Sequence, residues 1–206
     1  MELHEALTQI SEIHRRASAT SEFRGYRAVP VAISGLAAII AAIGQPFVVP
    51  DPIHQVSRYL LYWSMAAAIA ATPAAIRIYL RDWRDAHSYA RELTRLAVAQ
   101  FLPSLAAGAL AAVAIARHAP EFSWALPGLW QLFFSLGIFA SCRLLPRATA
   151  IAGMIYLAFG TWNLAYAQGE LALSPWIMGA PFAIGQFVTA AVFFRSQELD
   201  RVKERE

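Results

Sequence analysis

A single cysteine, Cys142, stands in 206 residues. With no partner for an internal disulfide and no second thiol for exchange, disulfide scaffolds and thiol oxidases are excluded, and Cys142 reads as a small buried hydrophobe. Charge is scarce too: Asp, Glu, Lys and Arg make up 15% of the chain, against about 25% in soluble domains. Hydrophobic residues reach 58% and mean hydropathy is +0.44. Too little polar surface remains to coat a water-soluble globule, which excludes intrinsic disorder and an ordinary cytosolic enzyme. No HExxH spacing, paired aspartates or nucleophile–base pair is present, so the chain reads as non-enzymatic and without a cofactor. A membrane enzyme acting on lipid ranks last among the alternatives. No cleavable leader is expected either, since Met1 to Tyr26 carries Glu2, Glu5, Glu12 and Glu22 and has no unbroken apolar core.

What the chain does contain is six apolar runs, at 29–49, 59–78, 96–116, 124–142, 148–167 and 176–194. Each has close to the ~20 residues a helix needs to cross a hydrocarbon core of ~30 Å. They are continuous and rich in alanine and leucine instead of alternating with period two, which favours helices over an outer-membrane barrel. The expected fold is therefore all-α, a polytopic integral membrane protein with six transmembrane helices in a compact bundle. Residues 1–27 are expected to form a cytoplasmic amphipathic helix, 28–195 the six-helix transmembrane domain and 196–206 a charged cytoplasmic helical tail.

Basic residues set the expected orientation. Arg15, Arg16, Arg24 and Arg27 precede the first run; Arg77, Arg81, Arg84, Arg91 and Arg95 lie between the second and third. Arg143 and Arg147 separate the fourth and fifth, and Arg195, Arg201, Lys203 and Arg205 follow the sixth. Only Arg58 and Arg117 fall on the other side, so both termini are expected in the cytoplasm. The location implied is a cell membrane, and the compact size points to a bacterial inner membrane. The same segregation accounts for the net charge of +3 without nucleic acid. Tyr59, Trp63, Trp124, Trp162, Tyr166 and Trp176 are expected in an aromatic belt at the arginine-poor interface.

Helices in lipid pack through small residues, and three rows fit: Ser34, Ala38 and Ala42; Ala67, Ala71 and Ala75; and Ser104, Gly108, Ala112 and Ala116. Pro46, Pro73, Pro103 and Pro181 lie inside the runs, each freeing a backbone carbonyl. Inside the runs there is no Asp, Glu, His or Lys, which argues against proton relays, carboxylate-based ion carriers and bis-histidine haem.

Amides take their place: Gln45, Gln100, Gln131, Asn163 and Gln186. With Trp63, Trp130, Trp162 and Tyr166, the group Gln45, Gln131, Asn163 and Gln186 is expected to line an outward-facing pocket of hydrogen bonds and aromatic faces without fixed charge. Such a pocket suits binding or passage of a small neutral or weakly cationic solute. The bland account of the same amides is interhelical hydrogen bonding. The rival function is a membrane-anchored interaction or sensory protein. In it, the face formed by Leu3, Leu7, Ile10, His14 and Ala17 and the hairpin at 77–95, turning near His87 and Ser88, engage a cytosolic partner. Expected partners are thus membrane lipids, a small ligand, a second copy or a cytosolic protein. His54, His118 and Glu121, with Asp51 and Glu170, are weak metal candidates spread over three loops without ligand spacing.

Overall fold

The structure, a computed structural model, describes residues 28–84, 89–146 and 148–203. Among these there is no strand. Six helices follow one another: α1 (Ala28–Val48), α2 (Val56–Arg84), α3 (Tyr89–His118), α4 (Leu126–Ser141), α5 (Thr149–Tyr166) and α6 (Pro175–Lys203). Short 3-10 turns at Pro120–Ala125 and Gly169–Leu171 lead towards α4 and α6. Each apolar run is a helix, and α2, α3 and α6 continue past theirs into charged ends, because arginine, glutamate and lysine sustain helix nearly as well as leucine. The amphipathic segment 3–17 and the turn at His87 and Ser88 lie outside the described residues. All the helices except α5 are long and apolar enough to cross a membrane, α4 together with the turn before it, and the chain is compatible with a membrane location.

The helices stand in a ring in chain order, closed by α6 against α1. The α1–α6 interface is the most extensive and α4–α5 the next, whereas α2 and α3 barely meet. Missing side chains explain the tight pairs. A Cβ on Gly179 of α6 would collide with the Ala42 methyl of α1 and lie 3.2 Å from the Ala38 carbonyl oxygen. Gly128 of α4 and Gly160 of α5 approach so closely that a Cβ on either would sit 2.9 Å from the other's carbonyl oxygen. Backbones at this distance gain dispersion contacts that larger residues would forbid.

The three small-residue rows meet different fates. Ala38 and Ala42 pack on α6. Gly108 faces Trp130 and Phe133 of α4, and the Trp130 indole N–H donates to its carbonyl oxygen at 3.1 Å. Ala67, Ala71 and Ala75 stay exposed, because the middle of α2 stands away from its neighbours. Only 11% of the apolar windows of α2 and α3 is buried, against 44% for those of α4 and α6.

Candidate functional site

Proline chemistry organises the arginine-poor end. Pro181 has no N–H to give the carbonyl four residues earlier, so Ile177 loses its helical donor. Gln131 of α4 supplies a replacement, its Nε2 donating to the Ile177 oxygen at 2.8 Å. Asn163 of α5 donates through Nδ2 to Gln131 Oε1 at 2.8 Å and to the same Ile177 oxygen at 3.3 Å. A second cluster lies alongside: Gln45 Nε2 donates to the Leu173 oxygen at 2.9 Å, and the Trp63 indole N–H donates to Gln45 Oε1 at 2.8 Å. Gln45, Gln131 and Asn163 are all buried. The structure therefore gathers these three amides around the start of α6, in bonds that join α1, α2, α4 and α5 to it. Gln186 does not join them and lies further along α6. Gln100 is exposed on α3.

The aromatic residues also separate. Tyr59 and Trp63, expected in the interfacial belt, are inside the protein, packed with Ala41, Ala42, Val49 and Leu173. The first turns of α2 lean on α1 and α6, which carries these rings inward; Tyr62 meets Trp63 edge-on at 5.8 Å and donates its hydroxyl to the Ala41 oxygen at 2.6 Å. Trp130 is half-buried between α3 and α4. Trp162 and Tyr166 are exposed, their rings 6.0 Å apart on α5, and Trp176 is exposed at the start of α6, as a belt requires. Trp63, Trp130, Trp162 and Tyr166 do not share one cage.

The space in the bundle lies mainly in the arginine-rich half. A cavity of about 640 Å³ runs between α1, α2, α3, α4 and α6. The volume falls within the ~300–1,000 Å³ of small-molecule sites. Trp63, Met178 and Phe182 line its end nearest the amide clusters; beyond them come the alanine face of α2 and Phe101, Phe134 and Phe193. Among the described residues, no Asp, Glu, His, Lys or Arg lines it. Ser34, Ser141, Thr149 and Thr189 also line it, their hydroxyls bonded to the carbonyls of Val31, Ala97, Pro146 and Gly185. Gln186 contributes an amide to the wall. The lining residues that are themselves exposed all belong to α2 and α3, among them Ala71, Leu102 and Leu105, so the opening is on that side.

Of the expected pocket residues, then, the cavity includes Trp63 and Gln186. It also includes a phenylalanine set that the amide argument passed over. Phe134 forms edge-on contacts with Phe101, Tyr156 and Phe182 at 5.0, 4.8 and 5.2 Å. A signal was present in the spacing: Met178, Phe182, Gln186, Thr189 and Phe193 recur at three or four residues and mark one face of α6.

In the loops, His54 Nδ1 lies 2.8 Å from Asp51 Oδ2, and the His54 backbone N–H donates to Asp51 Oδ1 at 3.2 Å. These bonds, the backbone one foremost, hold the Asp51 carboxyl below the usual carboxylate range. His118 and Glu121 are exposed, and among the described residues no three His, Cys, Asp or Glu side chains converge as a metal site. Cys142 is half-buried at the end of α4. Compared with protein families, characterised proteins and solved structures, the chain shows no match.

Proposed function

We propose that this chain is a six-span protein of a cell membrane, of the bacterial inner-membrane type, that binds a small molecule with an uncharged, largely apolar body in the cavity beside α2 and α3. The observation that carries the reading is the cavity: about 640 Å³, walled by phenylalanine, methionine and alanine, with Gln186 and four hydroxyls and, among the described residues, no charged side chain. A charged group placed there would lose hydration without gaining a counter-ion. The weakly cationic solute is set aside, since its support was one aromatic cage and Trp162 and Tyr166, exposed on α5, stand away from Trp63 and Trp130. Six spans with cytoplasmic termini rest on the segregation of arginine and lysine, fifteen on one side and two on the other. On that orientation most of the cavity lies in the cytoplasmic half, and its far end, at Trp63 and Met178, reaches the amide clusters of the outer half.

The test is native mass spectrometry of full-length protein gently extracted from membranes. A reproducible bound mass is expected, lost in the cavity-filling variant Ala71→Phe and kept in Gln131→Leu. A mass lost in Gln131→Leu but kept in Ala71→Phe would return the ligand to the amide end. A bare protein in every preparation overturns the reading and favours the rival interaction protein, to be tested by deleting residues 1–20.

A further inference from the structure

The rim of the cavity carries a charge pattern that its walls lack. On four helices the lining comes within two residues of an arginine: Ala75 and Arg77 on α2, Ala97 and Arg95 on α3, Ser141 and Arg143 at the end of α4, Phe193 and Arg195 on α6. All four arginines are exposed. Among the described residues of this end the acids are Asp82 on α2, Glu92 on α3 and Glu198 and Asp200 on α6, against nine arginines and lysines, so the end is cationic in balance. An uncharged slot thus ends in a cationic collar, and the slot is open along the α2–α3 seam, the face that a bilayer would cover.

We infer that the occupant is an acidic phospholipid of the surrounding membrane, one acyl chain in the cavity through the α2–α3 seam and the phosphate headgroup on the arginine collar. This rests on the proposed cavity function and names its ligand class. Charge complementarity selects the headgroup: guanidinium groups pair with phosphate oxygens through two parallel hydrogen bonds, and basic pockets between helices at the cytoplasmic side hold acidic lipids. The walls select the chain, since methylene groups match phenylalanine and alanine surfaces and need no hydrogen bond. The seam gives lateral access, because α2 and α3 make the least extensive contact in the ring.

The experiment measures retention of palmitoyl-oleoyl phosphatidylglycerol against phosphatidylcholine with the same chains, offered at equal concentration to the full-length protein and read by native mass spectrometry. Wild type should favour phosphatidylglycerol by about tenfold. Arg77→Gln with Arg195→Gln should bring it down towards the phosphatidylcholine level, while Ala71→Phe should lower both lipids; Ala74→Phe, also in the wall, replaces the latter if it does not fold. Equal retention of both lipids by wild type, lost in Ala71→Phe, overturns the inference and leaves the cavity function standing. A preference lost in the arginine variant but untouched by Ala71→Phe and Ala74→Phe assigns the headgroup to the outer surface and also overturns it. So does a lipid-free dimer, in which a second copy covers the seam, or retention seen only after residues 1–20 are deleted, which gives the cavity to the chain's own N-terminal segment.

Discussion

The α1–α6 and α4–α5 pairs are held by backbone against backbone, whereas α2 presents equally small residues and remains apart from α3. Ala38, Ala42 and Gly179 form a contact with no room for another methyl group; Ala67, Ala71 and Ala75 border a cavity. The difference lies in what stands opposite. An alanine row becomes a seam when the facing helix offers glycine, and a wall when the facing side chains are phenylalanines that hold the backbones apart. Small residues in a membrane helix therefore mark either the tightest or the emptiest part of a bundle.

Steric substitutions should break the comparison most forcefully. Gly179→Leu drives a side chain into Ala42 and should destabilise the bundle by about 3 kcal/mol or more. Ala71→Leu enlarges a residue that faces space and should stay within about 0.5 kcal/mol of wild type. Thermal unfolding in detergent checks both, and comparable losses would mean that the α2 wall packs as tightly as the α1–α6 seam.

The next effect concerns the amide clusters. Gln131→Leu leaves the Ile177 oxygen to Asn163 alone and should cost roughly 1–2 kcal/mol. Pro181→Ala returns an N–H to that carbonyl, so in the double variant the loss from Gln131→Leu should shrink. Strict additivity in that cycle would separate the amides from the proline.

Smaller still is Tyr59→Phe. The Tyr59 hydroxyl is buried and has no hydrogen-bond partner among the described residues, so its removal should leave the melting temperature unchanged or slightly raised. A clear loss would reveal a bond that the tight region needs.

The smallest effect belongs to the exposed Asp51–His54 pair in the loop after α1. Asp51 is held below its ordinary value of 3.8 in the folded protein, so its contribution is present above that value and fades as pH falls through the lower folded one. Melting measured down the acid range should show a slight drop that Asp51→Asn removes.

Part of this architecture is legible residue by residue. The six apolar runs coincide with the six helices because continuous apolar stretches of alanine and leucine have few other ways to satisfy their backbone. The amides and Pro181 were visible separately, but their connection was not. Pairing Gln131 with Ile177 requires α4 to lie beside α6, a relation forty-six residues apart along the chain. Tyr59 and Trp63 look like belt residues by depth, and depth does not say which way a ring faces.

The sequence by itself determined the helices, their apolar spans and the concentration of arginine at one end, since each follows from local composition and from the solvent each residue tolerates. Tertiary structure alone decided which alanine row became a contact, which amides answered a proline and where the cavity lay. Those outcomes depend on what stands across the interface. In a bundle whose faces are nearly all apolar, hydropathy does not distinguish one facing from another; shape and the few hydrogen bonds left to satisfy do.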